Sequence, residues 1–192
     1  MQLLVRMHLK SDAIFGNGMS RPGGEDICVQ ADTNGFPYLK GSTIKGIFRE
    51  ELENYLLWQG ISGQEWEKEV NELMGEEGGS RERSRRKLTF SELSLHPELV
   101  SRMMAEGLPK WEITEAFTDI RTFTSLENGM AKEGTLRTAR CVKKGLNFYG
   151  WCICDERDTE LVKTVLKLIK WAGTMRSRGF GKVKIWGETA EG

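Results

Sequence analysis

The stretch Gly23-Gly24-Glu25-Asp26 puts a carboxylate into a glycine-rich loop. A carboxylate there can act as a general base or hold a divalent ion such as Mg or Mn. By residue chemistry alone, an aspartate in such a loop is first a turn residue. Glu25 and Asp32 are its substitutes, and Asp32, ahead of Thr33-Asn34-Gly35, reads as the start of a turn. Lys45 and Arg49 are four residues apart behind Ser42. On a helix capped by Ser42 they would share one face and meet an anion near the free amides of its N-terminus. Solvated cations are the rival reading, above all for Arg49, which Glu50, Glu51 and Glu53 follow. The segment 173–181 carries Gly173, Arg176, Arg178, Gly179 and Gly181. Its glycines allow close backbone approach, and its arginines can grip phosphate or stack on bases. A flexible connection is the alternative, and it does not account for the basic residues. His8 lies on an alternating stretch, where one histidine is commonly structural, and His96 before Pro97 reads as a surface loop residue.

The elements that must hold these residues follow from periodicity. Residues 2–9 alternate as a strand, with Leu3, Val5 and Met7 on one face and Leu4, Arg6 and His8 on the other. Residues 12–35 form a polar, glycine-rich loop, long enough to suggest function. Ile44, Ile47, Phe48, Leu52, Tyr55 and Leu56 predict a helix over 43–58. A second helix is expected over 62–74, with Ser62 and Glu65 as a capping box. Residues 75–87, poor in apolar side chains, read as mobile. Strands are expected over 88–93 and 145–155, an irregular hairpin over 111–138 with a turn near Asn128-Gly129, an amphipathic helix over 159–171, and a last strand over 182–186. Without insertions at about 59–87 and 111–140, this is the β-α-β-β-α-β order of an α+β, ferredoxin-like fold, expected as one domain over 1–192. The tryptophans fall mostly on regular elements, where core or subunit contact is the default.

Lys and Arg total 28, as do Asp and Glu, so the 192-residue chain is formally neutral. That argues against a freestanding, non-specific nucleic-acid binder. The charge is nevertheless segregated. Residues 50–77 hold nine acids and one base, 81–87 five bases and one acid, and 163–184 seven bases and no acid. Such a chain can present a basic face to an anionic ligand. Its 39% hydrophobic residues suffice for a core, and no long apolar run suggests a membrane span. The N-terminal residues are too polar for a signal peptide, and Cys28, Cys141, Cys152 and Cys154 show neither CxxC spacing nor a disulfide framework. Reduced thiols and a cytoplasmic location are expected. Gly41-Ser42-Thr43-Ile44-Lys45-Gly46 lacks the Lys-Ser/Thr of a P-loop, Gly16-Asn17-Gly18 lacks the third glycine of a dinucleotide fingerprint, and there is no Gly-x-Ser-x-Gly elbow.

Three segments together resemble a known family. The first runs from Asp26 through Gly35-Phe36-Pro37-Tyr38-Leu39-Lys40-Gly41-Ser42-Thr43-Ile44-Lys45-Gly46 to Arg49. The second runs from Thr124-Ser125-Leu126-Glu127-Asn128-Gly129-Met130-Ala131 through Gly134-Thr135-Leu136 to Asn147-Phe148. The third is the loop 173–181. The combination resembles the RAMP superfamily, specifically the repeated backbone subunit of type III CRISPR–Cas effector complexes. The resemblance implies an RRM-like core with a thumb-like hairpin. It further implies stacking of copies or relatives along a CRISPR RNA, with other effector subunits and target RNA as partners. A loop aspartate would cut the target beside each thumb-induced kink. The family pattern Gly-Gly-x-Asp places that role on Asp26, with Glu25 where an apolar residue is usual. It implies RNA contacts at Lys40, Ser42, Lys45, Arg49, Gly173, Arg176, Arg178, Gly179 and Gly181. Phe123, Leu126 and Met130 would be thumb wedges, although core packing of a hairpin serves as well for them. A subunit that binds RNA without cutting it is the second reading. An RRM-like protein outside such complexes ranks below both, because the full pattern Lys/Arg-Gly-Phe/Tyr-Gly/Ala-Phe is missing.

Overall fold

A computed structural model describes residues 1–75, 88–124, 126–127, 130–131 and 136–189. Strand β1 (Gln2–Leu9) buries Leu3, Val5, Met7 and Leu9 completely, as its alternation predicts. It lies between two antiparallel neighbours, β7 (Asn147–Ile153) and β8 (Val183–Thr189). The short β2 (Thr89–Phe90) pairs with β7, so the four-stranded order is β2-β7-β1-β8. Helix α1 (Gly41–Trp58) connects β1 to β2, and α5 (Thr159–Leu168) connects β7 to β8. These six elements give the expected ferredoxin-like arrangement. Ile44, Ile47, Phe48, Leu52 and Leu56 of α1, with Val162, Val165 and Leu166 of α5, close one face of the sheet. No helix among the described residues is long and apolar enough to cross a membrane.

β2 is shorter than the strand expected over 88–93. Ser91 still donates its amide to Trp151 (2.9 Å), but Leu93 turns away to exchange backbone hydrogen bonds with Leu39. Ser94 then rejoins Tyr149 at 2.9 and 2.7 Å. This is a bulge, and Gly150 faces it: a Cβ there would run into the Glu92 carbonyl, Leu93 Cδ2 and Ser91 Oγ.

Two helices are unexpected, one between the two expected insertions and one at the start of the second. α3 (Pro97–Ala105) starts with Pro97 at its first position, and His96 Nδ1 accepts from the Glu98 amide at 3.3 Å. His96 is therefore a helix cap and not a plain loop residue. α4 (Lys110–Phe117) takes the first part of the hairpin expected over 111–138, because Ile113 and Phe117, four apart, both bury there. The hairpin proper is β3 (Thr118–Phe123) against β6 (Arg137–Val142). Two-residue strands β4 (Leu126–Glu127) and β5 (Met130–Ala131) pair beyond it. The expected turn at Asn128-Gly129 and the mobile character expected of 76–87 lie outside the described residues.

Three boundary expectations are corrected. Ser42 does not cap α1: Lys40 is the N-cap in extended conformation with no side-chain cap, and the helix starts at Gly41. Gly41 is pressed so close to the Phe90 carbonyl that a Cβ would clash with it. Ser62 does not cap α2 (Gln64–Met74) either, since Gly63 with φ 66° takes the N-cap position, which suits glycine. The last helix stops at Leu168 instead of 171. Beyond it the chain becomes extended, and Ala172 donates to Gly181 (2.8 Å) while Val183 donates to Lys170 (2.8 Å).

Candidate functional site

The long segment 12–35 is an ordered excursion, not a slack loop. Its outgoing and returning arms pair with each other: Asn17 donates to Cys28 (3.1 Å), Cys28 to Met19 (3.1 Å) and Gln30 to Phe15 (2.6 Å). A tight turn closes its tip, where Gly24 donates to Arg21 and Arg21 to Glu25, each at 2.9 Å. Both arms are also stitched to the hairpin strand β6. Ala13 and Val142 exchange hydrogen bonds at 2.9 and 2.7 Å. Ile27 lies parallel to Ala139, donating to Thr138 (3.1 Å) and accepting from Arg140 (3.0 Å). Asp12 adds a tie, its two oxygens accepting from Arg121 (2.7 Å) and from the Lys144 amide (3.0 Å).

Asp26 sits at this junction. Its side chain is exposed, and one carboxylate oxygen, Oδ2, accepts from the Thr138 amide (2.7 Å) and the Thr138 hydroxyl (3.3 Å). Among the described residues Oδ1 has no hydrogen-bond partner. The aspartate is thus both a cap on β6 and an open carboxylate beside the β3–β6 hairpin. Asp32, in contrast, accepts from the Asn34 and Phe36 amides at 2.9 Å each and shapes a turn, as expected. Among the described residues, no group of three His, Cys, Asp or Glu gathers as a metal site. Asp26 therefore offers no protein-only cage. A lone carboxylate fits a Mg-type ion whose other ligands are phosphate oxygens and water.

Glu25, named from the sequence as a substitute for Asp26, has a different place: a buried ion pair that the sequence did not reveal. It is 5% exposed, and Arg140 meets one of its oxygens through Nε at 2.6 Å and through a second guanidinium nitrogen. Arg140 also donates to the Thr118 hydroxyl at 3.2 Å. Burial pushes the Glu25 carboxyl up. Its own backbone hydrogen bond, the hydrogen bond and charge of Arg140, and the charge of Arg21 together outweigh that and hold it below the usual carboxylate range. The available signal was the departure from the apolar residue usual beside Asp26. Its partner lies 115 positions away and has no local signature.

The glycine loop reaches the same region. Thr174 donates to Ile14 (3.1 Å) and Gly181 to Asp12 (2.8 Å), so the loop is anchored to the excursion and not a flexible connection. Gly181 has φ 76°, and a Cβ on it would strike the Ala172 carbonyl. Residues 176–178 form one 3-10 turn. The Arg178 guanidinium lies 5.7 Å over the Phe123 ring at the end of β3, and Phe180 meets that ring edge-on at 5.4 Å. Phe123 thus packs against the glycine loop. The wedge roles expected of Leu126 and Met130 fall on side chains outside the described residues.

Lys40, Thr43, Gly173, Thr174 and Arg176 line one cleft of about 150 Å³ with Gln30 and Tyr38. The cleft therefore joins all three elements: excursion, start of α1 and glycine loop. Gln30 Oε1 is buried there without a partner among the described residues. Arg176 pairs with Glu50 at 3.3 Å, so the acidic run restrains part of the basic one. Ser42 is exposed at the first turn of α1, where no side chain caps the free amides. Lys45 is half-buried, and burial, then the charge of Arg49, lowers its pKa. Arg49 donates to the Gly75 carbonyl and ties α1 to the end of α2. That bond gives its side chain a packing role. Gly179, with φ 86°, has nothing within reach of a Cβ and is held open by its backbone conformation.

The sequence model of the RAMP superfamily matches residues 6–184. The chain belongs to the RAMP superfamily. No curated protein matches it in a sequence comparison. Solved structures with the same fold include a chain of the type III-B Cmr-beta cryo-EM structure bound to cognate target RNA. That match has TM-score 0.68 and 12% identity, covering 97% of each chain. A chain of the Cmr-beta apo-state cryo-EM structure matches with TM-score 0.72 and 12% identity, over 99% of this chain and 98% of that one. At such identity the likeness establishes this RAMP chain's fold.

Proposed function

We propose that this RAMP protein is a backbone subunit of a type III CRISPR effector complex that binds guide RNA and cuts the paired target through Asp26. The supporting observation is the convergence of three elements at the thumb. Asp26 is fixed on β6 by Thr138 at 2.7 Å, while Arg178 of the glycine loop lies on Phe123 of the paired strand β3. The cleft with Lys40, Gly173 and Arg176 would take guide phosphates, helped by the uncapped amides of α1, with Lys45 beside them. Ser42, Gly179 and Gly181 would let the RNA backbone come close. Further copies or relatives, with other effector subunits, would continue the path. Its free cysteines suit a reducing, cytoplasmic setting.

The chemistry needs little machinery. Asp26 Oδ1 takes the proton of a target 2′-hydroxyl, whose oxygen attacks the adjacent phosphorus in line. The P–O5′ bond breaks, water protonates the leaving oxygen, and the products carry a 2′,3′-cyclic phosphate and a 5′-hydroxyl. A divalent ion held by Asp26 would stabilise charge on the phosphate. Thr138 holds the carboxylate, and the Glu25–Arg140 pair holds the turn that carries it.

One observation favours the scaffold reading instead: the Asp26 carboxylate also caps Thr138, which a purely structural aspartate would do. Asp26→Asn separates the two. In an assembled complex with labelled complementary target, it should lower cutting by roughly two orders of magnitude or more, with guide and target binding unchanged. Full cleavage in the variant would refute the assignment and turn attention to Glu25, Asp32 or His8. Absence of regular cuts by the unaltered complex would establish the scaffold reading. Loss of cutting with chelator would point to the metal-assisted form.

A further inference from the structure

The face of the sheet turned away from α1 and α5 is not covered like its opposite. The strand registers array its residues in three rows. Trp151, Leu4 and Glu188 form one, Tyr149, Arg6 and Trp186 the next, and Asn147, His8 and Lys184 the third. Trp151, inside β7, is 40% exposed although β7 lies between β1 and β2, and Ile153 at the end of the same strand is 52% exposed. Arg6 lies 5.8 Å from the Tyr149 ring centre, and the Lys184 ammonium 5.5 Å from that of Trp186. His96 meets Tyr149 edge-on at 5.1 Å, leaving Trp151 open.

We propose that this face is a second RNA surface, which stacks the bases of a single strand on Trp151, Tyr149 and Trp186. Tyr149 and Trp151 are two residues apart on the third strand of the β-α-β-β-α-β core. Their rings therefore lie on one side, about 6.6 Å apart along the strand. Gly150 between them is required by the bulge opposite. Aromatic rings so placed on a four-stranded sheet stack two or three successive bases, and arginine planes can do the same.

Charge favours RNA over a protein occupant. Glu188 is the one acid in these rows, and it is already engaged by Arg6 (2.9 Å) and by the Trp186 indole N–H (2.9 Å). At the far end Lys10 and Lys182, both exposed and joined through their backbones at 2.8 Å, stand next to Lys184. Lys182 directly follows Gly181, so this basic end is continuous with the glycine loop. A strand leaving that loop meets lysines first and aromatic rings next. The inference stands apart from the Asp26 chemistry and needs neither target cleavage nor a particular guide.

The test uses the full chain, free and in its complex, with short single-stranded oligouridylate as probe. Trp151→Ala should weaken binding by about 5- to 150-fold, the effect of losing one stacked base. Trp151→Phe should restore it to within a few-fold, because stacking needs only a ring. Lys184→Ala should lower the slope of log affinity against log salt by about 0.7, one single-strand phosphate contact. Trp58→Ala removes another tryptophan, 70% exposed on α1, and should change nothing. Unfolding curves of Trp151→Ala should match those of the unaltered protein, since the side chain is 40% exposed. Equal affinity in Trp151→Ala and unaltered protein overturns the proposal. So does unchanged RNA affinity with loss of complex assembly, which makes the face a protein-docking surface. Guide content and target cutting are scored separately, so a failure here leaves the Asp26 reading intact.

Discussion

Arg140→Met should be among the most damaging substitutions in the β3–β6 hairpin. The pair it breaks has side chains 14% and 6% exposed, so water cannot take over solvation of Glu25. A surface ion pair would be worth about 0–1 kcal/mol, whereas stripping the partner from a buried one costs about 3–5 kcal/mol. The second figure applies, and it includes about 1 kcal/mol for the bond from Arg140 to Thr118. Thr118 itself is not orphaned, because its hydroxyl still donates to the Thr114 carbonyl at 2.6 Å. Glu25→Leu with Arg140→Met leaves no charge buried at this site and should recover most of the loss, since apolar replacement of such a pair is often neutral. Urea unfolding of the two single variants and the double one closes a cycle that isolates the coupling. The pH dependence has a definite sign. Glu25 is held below the ordinary carboxylate range, so its contribution is present above about pH 4.3 and lost as pH falls through the folded value. Below about pH 4 the unaltered protein should therefore lose more stability than the double variant. In the assembled complex, Arg140→Met should also reduce cutting while guide content stays constant, because Asp26 is next to the released residue. A cost below about 1 kcal/mol for Arg140→Met would refute the buried-pair argument.

Changing both Arg176 and Arg178 to Ala should weaken guide binding and flatten its salt dependence by about two phosphate contacts; an unchanged slope would remove the glycine loop from the RNA path. Glu50→Gln should do the opposite, releasing Arg176 and tightening binding by up to about fivefold, the ceiling for an exposed ion pair. Thiol titration of the native protein at pH 8 should find one fast cysteine, Cys28. Burial and then the charge of Asp12 push Cys141 up to about 12, while burial raises Cys152 and Cys154. Equal rates at all four would contradict the packing. Gly150→Ala should cost about 1–3 kcal/mol in unfolding measurements by forcing the bulge at 91–93 away from β7.

The sequence disclosed what repeats along the chain. β1 shows itself because every second residue is apolar, and α1 and α5 because their apolar residues recur on one helical face. The core order then follows. α3 and α4 were hidden for a local reason: each has about two turns, and the apolar residues of α4, Ile113 and Phe117, resemble a strand fragment once the β-branched Thr114 and Thr118 are counted. The serine caps failed because α1 and α2 start where tertiary packing puts them, at Gly41 against Phe90 and after Gly63. At the candidate site, residue types were visible and partners were not. Asp26 stood out by its glycines, but Thr138, which orients it, is 112 residues away. Tyr149 and Trp151 lie in the run 145–155, which is apolar apart from Asn147 and Asp155 and so shows no clear alternation. Only the registers reveal that alternate residues face outward.

Neutral overall charge and an RNA-binding role are compatible because the chain separates its charges in space as well as in sequence. Arg176, Arg178, Lys182 and Lys184 follow one another through the glycine loop into β8, whereas the acids of α1 and α2 lie on helices. Where the two sets touch, at Arg176 and Glu50, the acid competes with phosphate for the guanidinium. On the proposed reading, one subunit would therefore engage few phosphates, each against a local penalty. In the proposed arrangement, copies held on one guide would avoid that weakness, since the first bound subunit would raise the effective concentration of RNA at the next. Free subunit should accordingly bind RNA more weakly than assembled subunit, by a margin that shrinks in Glu50→Gln. Equal affinity in both states would mean that a single chain already holds its full set of contacts, and the stacked arrangement would then have no energetic basis.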